Sequence, residues 1–430
     1  MNYPNLLPYD QVFWYLEKNE VRPLKESIKT DVVIIGGGMA GLSAAQAFAQ
    51  RGLRVVLLEK NFCGSGATGK SSGFITPDSE LPLRTFKEKY GAQEARKLWN
   101  FILSGVHIIK ENIKKHEIDC DYQEQDTLVV ATSDRAFTNE IRREYQTRQE
   151  LNYESRLYTH DEIGQVITGE HYSGAVRYAD TFGIHAYRYC AGMKKVLEKT
   201  GVRIYEETPV IDIKDHVVTT FGGKVQAEHI IICTDRFARS LPALKNNLYH
   251  VQTNLMISAP LSDTDIQKIF PDKLCMVWDT DLVYHYYRIT GENRLLLGGA
   301  RLIDTYAKKE THNNMSTAAL LENYFEKKYP HFPVSFEYMW PGLIGVSKDL
   351  FPLAGRDQTM KSVYYIAAAT GLPWAAALGA YSADCMLDNN AEFDPYFSPD
   401  RSFTLGPLAN HLLGTRLTFA LSNFLTVGSV

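Results

Sequence analysis

The sequence predicts a mixed α/β fold in which a parallel sheet is assembled from separated segments and a largely antiparallel sheet lies between them. The first observation is a buried β-branched run at 32–35 that leads into glycines and a helix of small residues. The second is the return of such runs at 227–233 and 363–369. The third is a set of antiparallel strand candidates over 249–300 with a turn at Gly291. This order indicates a discontinuous first domain with a second domain inserted in it.

Composition bounds the class of protein. The 430 residues carry 46 Lys+Arg and 50 Asp+Glu, a net charge of −4, which argues against a nucleic-acid partner. No run approaches the roughly 18 apolar residues of a spanning helix, and the N-terminus has no secretory pattern. The six cysteines are scattered without a CxxC pair, so we expect no metal site and a reducing, cytoplasmic location.

The first strand leads into a dinucleotide-binding motif. Residues 36–41 read GGGMAG and satisfy the pattern GxGxxG. Gly36 permits the turn, Gly38 lets the backbone approach a pyrophosphate, and Gly41 lets the helix pack on the sheet. The N-terminus of the following helix, with Met39 and Ala40 in its first turn, favours a phosphate. The sequence therefore predicts a Rossmann-like domain.

The next strand and loop favour FAD over NAD. Glu59 ends the second strand about 20 residues after the motif, where an acid accepts hydrogen bonds from a ribose diol. It also disfavours NADP, whose phosphate would meet a like charge. A second loop rich in Gly and Ser follows at 63–75. An NAD enzyme has no use for such a loop, whereas the second half of a long FAD molecule must also be held.

These motifs resemble the D-amino-acid oxidase (DAO) family of FAD-dependent oxidoreductases over nearly the whole chain. Residues 66–74 (GATGKSSGF) are similar to its flavin loop, and Pro209-Val210 to its adenine-contacting segment. WPGL at 340–343 and DLFPLAG at 349–355 resemble its late block. YYRIT and RLLLGG, from Tyr286 and Arg294, look closest to the γ-glutamylputrescine oxidoreductase and glycine oxidase-like members.

The resemblance implies non-covalent FAD, since no cysteine falls on a recognised attachment position. It implies cofactor contacts from both glycine-rich loops, from the 209–210 segment, and from the closing strand–glycine–helix. The candidate cofactor-binding residues are Gly36, Gly38, Met39, Ala40, Gly41, Glu59, Lys60, Ala67, Thr68, Ser71, Ser72, Gly73, Phe74, Val210, Thr234, Gly371, Leu372, Pro373 and Trp374.

Several residues depart from the family pattern. By resemblance to glycine oxidase, arginine clamps for a substrate carboxylate would stand where Ile344 and Leu372 are found, which favours an amine over a free amino acid. Trp374 either stacks near the flavin or belongs to the core. Asp235 replaces a common glycine and either alters the approach to the cofactor or caps the next helix.

Candidate catalytic residues come from one strand and one loop. Over 283–289 the faces alternate, so Tyr284, Tyr286 and Arg288 share one face, and we expect a tyrosine wall that suits an amine. The alternative is an ordinary edge strand with aromatic cross-strand pairs. Lys70 either places positive charge near the flavin or is a solvated lysine. His285 is a weaker candidate base.

The sequence thus predicts an enzyme that oxidises an amine C–N bond by hydride transfer to flavin N5, giving an imine that hydrolyses. The alternatives are a glycine, sarcosine or D-amino-acid oxidase or dehydrogenase, and a non-catalytic flavin-binding protein. The predicted FAD-binding domain comprises 28–116, 170–247 and 341–390. The substrate domain comprises 117–169 and 248–340, between an N-terminal extension (1–27) and a C-terminal tail (391–430).

The expected partners are a small-molecule amine and either oxygen or a respiratory electron acceptor. The tail is apolar at helical spacing (Leu408, Leu412, Thr415, Phe419) and carries only Arg416 as a cation over 405–430. Packing on the body is the preferred interpretation. A homodimer contact and peripheral membrane binding are the alternatives.

Overall fold

The computed structural model describes residues 5–6, 12–15, 21–78, 80–179, 181–281, 283–301, 305–306 and 315–428. The rest of the predicted N-terminal extension lies outside the described residues. The strands are Asn5–Leu6, Ile28–Ile35, Val55–Leu58, Phe74–Ile75, Gln123–Glu124, Asp126–Ala131, Arg156–Thr159, Gly174–Tyr178, Phe182–Gly183, Arg203–Tyr205, Val210–Lys214, Val217–Thr220, Lys224–Ile232, Leu248–Pro260, Cys275–Asp279, Tyr286–Ile289, Arg294–Gly299, Phe336–Ser347, Leu353–Arg356 and Val363–Ala367. The α-helices are Met39–Gln50, Leu83–His116, Asp134–Ala136, Arg142–Glu150, Ala186–Lys199, Asp263–Ile269, Met315–Lys328, Leu372–Leu387, Asp394–Phe397, Pro407–Leu413 and Thr415–Gly428.

The first sheet contains the predicted buried strands. Strand Ile28–Ile35 pairs in parallel with Val55–Leu58 on one side and Lys224–Ile232 on the other. Lys224–Ile232 also pairs in parallel with Val363–Ala367, so segments far apart in sequence form one sheet. Val32 to Ile34 are fully buried because both faces of the sheet are covered, as expected for a parallel sheet. The predicted fold class is confirmed.

Two helices beside this sheet, Met39–Gln50 and Leu372–Leu387, pack closely against each other. A Cβ on Gly379 of helix Leu372–Leu387 would lie 2.3 Å from the carbonyl oxygen of Ala40, in helix Met39–Gln50. The small residues that mark both helices in the sequence therefore allow direct backbone contact. Helix Leu83–His116 begins earlier than the predicted 91 and is kinked at Gly91, where φ is +81°.

The second sheet is largely antiparallel. It runs in the order Asn5–Leu6, Phe336–Ser347, Leu248–Pro260, Arg294–Gly299, Tyr286–Ile289, Cys275–Asp279, Asp126–Ala131, Gly174–Tyr178 and Arg156–Thr159. The strand predicted over 283–289 begins only at Tyr286. Asp279 Oδ1 accepts the backbone N–H groups of Asp281 and His285, both at 3.2 Å, and this turn delays the start of the strand. The boundaries assigned to the two domains stay a prediction.

The described part of the C-terminal tail forms the helices Asp394–Phe397, Pro407–Leu413 and Thr415–Gly428. Phe419 is fully buried, and the Asn423 amide donates to the carbonyl oxygens of Ser347 and Lys348 at 2.9 Å. The tail therefore packs on the body through part of its predicted apolar stripe, while Leu408 and Leu412 remain exposed. None of the helices in the described residues combines the length and the apolar character needed to cross a lipid bilayer.

Candidate active site

The glycine-rich turn joins strand Ile28–Ile35 to helix Met39–Gln50. Gly36 has φ of +109°, and a Cβ there would lie 2.5 Å from the carbonyl oxygen of Cys233. A Cβ on Gly41 would lie 1.9 Å from the carbonyl oxygen of Gly36. Both positions therefore require glycine, and the first turn of the helix is held against the turn that precedes it.

A cavity of about 1010 Å³, here called the nucleotide cavity, lies beside this turn. The predicted cofactor residues that line it are Gly36, Gly38, Glu59, Lys60, Ala67, Thr68, Val210 and Thr234. Val210, predicted from the resemblance of its segment to the adenine-contacting segment of the family, is brought there by a strand more than 150 residues after the glycine motif.

Glu59 is buried at the edge of the nucleotide cavity. Its Oε2 accepts the N–H of Gly37 at 2.8 Å, and its Oε1 accepts the N–H of Asn61 at 2.9 Å. Burial raises the pKa of this carboxyl, and the two backbone bonds oppose that rise. Glu59 therefore orders the glycine turn and lines the cavity at the same time.

The second glycine-rich loop is fixed by donors to three successive carbonyl groups. Trp340 Nε1 donates to Lys70 O at 3.0 Å, and Trp14 Nε1 donates to Ser71 O at 3.2 Å. The Nε of Arg288 donates to Ser72 O at 2.8 Å. The loop is thereby attached to the second sheet.

A cavity of about 200 Å³, here called the inner cavity, continues from the nucleotide cavity. The two share Gly38, Ala67, Thr68, Lys70, Cys233 and Asp235. The inner cavity brings together the predicted catalytic residues Lys70, Tyr284 and Tyr286. The predicted cofactor residues in its lining are Gly38, Met39, Ala40, Ala67, Thr68, Ser71, Ser72, Phe74, Gly371 and Leu372. This pair of connected cavities, beginning at a helix N-terminus, fits a long dinucleotide such as FAD.

A third cavity, about 180 Å³ and here called the outer cavity, lies on the other side of the tyrosines. The residues shared by the inner and outer cavities are Glu80, Thr253, Trp278, Tyr284, Tyr286 and Ile344. Tyr284 Oη donates to Glu80 Oε1 at 3.1 Å, and burial raises the pKa of Glu80 to about 7. Sequence reasoning missed Glu80, because it lies in a loop with no motif or periodicity around it.

Arg84 lines the outer cavity and was also missed. Its side chain is 5% exposed, and its Nη1 is buried without a hydrogen-bond partner among the described residues. Carboxylate oxygens of Glu88 and Glu140 are each 3.9 Å from the guanidinium. A buried cation with an open N–H is suited to bind an acceptor group in this cavity.

Arg288 extends away from the predicted tyrosine wall. Its fully buried guanidinium donates to the carbonyl oxygens of Ser72, Ile184 and Ile289, at 2.8, 2.8 and 3.3 Å. It shares a strand face with Tyr286 but does not line the inner cavity. The long side chain of Arg288 places the guanidinium beyond that cavity, at the backbone of the second glycine-rich loop.

Asp235 connects three segments beside the inner cavity. Its Oδ2 accepts the N–H of Gly345 at 2.7 Å and its Oδ1 accepts the N–H of Ala368 at 3.0 Å. It also begins the 3-10 helix Asp235–Ser240, with φ of +47°. The N-cap position of this helix is Thr234, so Asp235 is its first residue rather than its cap, and the aspartate instead lines both the nucleotide and inner cavities.

Trp374 belongs to the core. It is 4% exposed and packs among the rings of Phe86, Phe101, Phe351 and Phe397. It contributes to neither the nucleotide nor the inner cavity, because the first turn of its helix directs it away from them. Gly41, Gly73 and Pro373 are likewise backbone-packing positions outside these linings.

Ile344 and Leu372 both line the inner cavity. The described lining of this cavity contains no arginine, so the expected clamp for a carboxylate is missing from it.

His285 lies outside both cavities. Its Nδ1 is 3.3 Å from Asp279 Oδ2, and its ring stacks on Tyr324 with centroids 4.0 Å apart. Candidate ligand atoms of His285, Asp279 and Asp281 lie within 4.8 Å of one another. The histidine therefore has an ordered local environment away from the predicted catalytic residues.

The nucleotide cavity lies beside a glycine turn and an acid on a parallel sheet. It connects to the inner cavity, which is lined by tyrosines of the antiparallel sheet. This arrangement is typical of a flavin-dependent oxidoreductase. The family model "FAD dependent oxidoreductase" (DAO) matches residues 31–385. The chain belongs to this family, and the resemblance seen in the sequence is confirmed.

Two curated proteins and one solved structure are similar to this chain over most of its length. It is 28% identical over 354 residues to "Gamma-glutamylputrescine oxidoreductase" of Escherichia coli strain K12, covering 81% of each chain. It is 28% identical over 349 residues to "Probable oxidoreductase OrdL" of Haemophilus influenzae, covering 78% of this chain and 77% of the relative. The crystal structure of glycine oxidase from Geobacillus kaustophilus superposes with a TM-score of 0.72 at 21% identity, covering 88% of this chain and 100% of the other.

Proposed function

We propose that this protein oxidises the C–N bond of an amine substrate conjugated at its far end, as a γ-glutamylputrescine oxidase-like enzyme with non-covalently bound FAD. The observation that carries the proposal is the lining of the inner cavity. It presents Glu80, Tyr284 and Tyr286, and the described lining has no arginine to bind a carboxylate at the reacting end. Glycine and D-amino acids need such a clamp, whereas an amine nitrogen is suited to tyrosines and a carboxylate.

The outer cavity supports a conjugated amine rather than a small one. It adds about 180 Å³ beyond the tyrosines and includes the buried Arg84 guanidinium. γ-Glutamylputrescine, which the Escherichia coli relative's name specifies, has a primary amine at one end and an amino-acid head at the other. A substrate of this kind would place the amine in the inner cavity and the head group near Arg84.

The residues of this chain would hold FAD along the two connected cavities. Glu59 is assigned to the ribose, the helix N-terminus after Gly38 to the pyrophosphate, and the loop with Thr68 and Ser71 to the flavin end. FAD supplies the hydride acceptor for the carbon that bears the nitrogen. All six cysteines are buried free thiols, which supports a reducing, cytoplasmic compartment.

The protein's own groups orient the substrate and exclude water. Tyr284 and Tyr286 form a wall with Trp278 and Phe74, whose rings are 5.8 Å apart and stacked. Lys70 would place its positive charge at the inner cavity. The amine must be neutral before its lone pair can assist loss of the hydride, and water would then hydrolyse the imine. The electron acceptor would be oxygen or a respiratory carrier.

A visible absorption spectrum tests the proposal. The purified protein, reconstituted with FAD, is mixed anaerobically with γ-glutamylputrescine, putrescine, glycine and sarcosine in turn. We expect flavin bands that bleach fastest with γ-glutamylputrescine, and release of the flavin by acid precipitation because it is not covalently bound. Bleaching by glycine alone would contradict the assignment. Bands that persist with every amine would instead favour a non-catalytic flavin-binding protein.

A further inference from the structure

Glu80 is the acidic residue that lines both the inner and the outer cavity in the described part of the chain. The acids in the described lining of the inner cavity are Glu80 and Asp235, and of these only Glu80 also lines the outer cavity. Both oxygens of Asp235 already accept backbone N–H groups, of Gly345 and Ala368. Glu80 accepts one hydrogen bond, from Tyr284, and makes no ion pair within the described part of the chain. It is therefore a carboxylate with open acceptor capacity at the passage to the reacting end.

We propose that Glu80 binds the ammonium group of the substrate and accepts its proton where the inner and outer cavities meet. The inference rests on the proposed function, because it assumes a cationic amine as substrate. The N–H bond of the ammonium breaks, the proton passes to a Glu80 oxygen, and the electron pair remains on nitrogen. The neutral amine would then use this pair to assist breakage of the adjacent C–H bond, whose two electrons FAD, the oxidant of this family, would accept as hydride when bound.

The surroundings of Glu80 suit a proton acceptor near neutral pH. Burial raises its pKa to about 7, and the hydrogen bond from Tyr284 opposes that rise. An acceptor works best when its pKa lies near the working pH, because it is then ionised and still basic. The other titratable groups that line the two cavities are Lys70, Asp78, Arg84, Glu140, Glu144, Cys233, Asp235, Asp279, Asp281, Tyr284, Tyr286 and Tyr306.

Anaerobic stopped-flow reduction of the bound flavin by γ-glutamylputrescine, from pH 5.5 to 9.5, tests the proton transfer. In the wild-type protein we expect the second-order rate to rise tenfold per pH unit up to about pH 7 and then level off. In Glu80→Gln the plateau above pH 7 is lost, because the rate then follows the neutral fraction of the amine itself, and the rate at pH 8 falls by about 10²- to 10⁴-fold, the usual contribution of a positioned acid or base. Tyr284→Phe removes the hydrogen-bond donor that lowers the pKa of Glu80, so in this variant the rise in rate moves to higher pH. Glu322→Gln, outside the linings of all three cavities, keeps the rise in rate below pH 7.

A binding measurement tests the same carboxylate without turnover. Butyltrimethylammonium carries a cation but no nitrogen lone pair, so it cannot lose a hydride. Calorimetry in two buffers of different ionisation enthalpy counts the protons released when it binds to the FAD-loaded protein. We expect about one proton per bound cation at pH 6, where Glu80 is mostly protonated, and about none at pH 8.5. Glu80→Gln should release none at either pH.

The outcomes separate the two proposals. If no amine reduces the wild-type flavin, the proposed function fails, while the proton count still tests cation binding by Glu80. If γ-glutamylputrescine reduces the flavin but Glu80→Gln keeps the wild-type rate and the wild-type pH profile, the inference is overturned and the proposed function stands. A wild-type protein that binds the cation without proton release at pH 6 also overturns it.

Discussion

Replacing Glu80 with glutamine should make the protein more stable at alkaline pH while it impairs reduction of the flavin. Glutamine has nearly the same shape, and its carbonyl oxygen can still accept the hydrogen bond of Tyr284. It removes the charge that is unfavourable in the buried passage. The expected gain in stability therefore separates a residue retained for chemistry from one retained for folding.

The magnitude follows from the pKa of Glu80. A folded-state pKa of about 7, against an ordinary value of 4.5, corresponds to about 3 kcal/mol at about 1.4 kcal/mol per pH unit. Because the folded state has the higher pKa, no penalty exists below pH 4.5, and it grows as the pH rises to 7. Above pH 7 the wild-type protein has the full penalty, and the glutamine variant has none.

Urea denaturation at fixed FAD excess, followed at pH 5 and pH 8.5, measures this difference. We expect the free energy of unfolding of Glu80→Gln to exceed that of the wild type by about 3 kcal/mol more at pH 8.5 than at pH 5. Asp78, whose pKa burial also raises to about 7, contributes the same trend to both proteins and cancels in the comparison. A difference that is equal at the two pH values would refute the reasoning.

Three further predictions concern the cofactor and the far end of the substrate. Arg288→Met leaves the carbonyl groups of Ser72 and Ile184 without this donor, at about 1–3 kcal/mol each, so the protein should lose its bound FAD and lower its Tm. Unchanged flavin content would contradict this. Glu59→Ala should weaken FAD binding at least tenfold by fluorescence titration, and an unaltered Kd would remove the ribose assignment. Arg84→Gln should raise the KM for γ-glutamylputrescine about tenfold or more while leaving that for putrescine within twofold. Equal effects on the two amines would show that Arg84 does not bind the head group.

The nucleotide end of the site could be predicted because its determinants are local. The strand, glycine turn, helix and terminal acid all fall within residues 28–59, and each is imposed by backbone geometry that a short sequence reveals. Gly36 and Gly41 show this directly, since a Cβ at either would overlap a carbonyl group. Short apolar runs likewise predicted the strands Lys224–Ile232 and Val363–Ala367.

The substrate end could be predicted only in part, because it is assembled from distant segments. Tyr284 and Tyr286 were predicted from an alternation over 283–289, although the strand itself begins at Tyr286. Glu80 comes from a loop about 200 residues earlier, and its role depends on a hydrogen bond that no periodicity shows. Arg288 and Trp374 were placed on the correct elements but their side chains extend to other partners, a loop backbone and an aromatic core.

The charges of the two ends also explain why an amine would be selected over an amino acid. An α-carboxylate lies next to the reacting carbon, so glycine in the inner cavity would bring its anion close to Glu80. Two like charges about 4 Å apart repel by about 4 kcal/mol at an effective dielectric constant of about 20, which corresponds to about a thousandfold in binding. The carboxylate of γ-glutamylputrescine lies many bonds from its amine and can reach Arg84 in the outer cavity instead. An acid at the passage and a cation beyond it would therefore select a molecule by the distance between its charges, which a single arginine clamp cannot do.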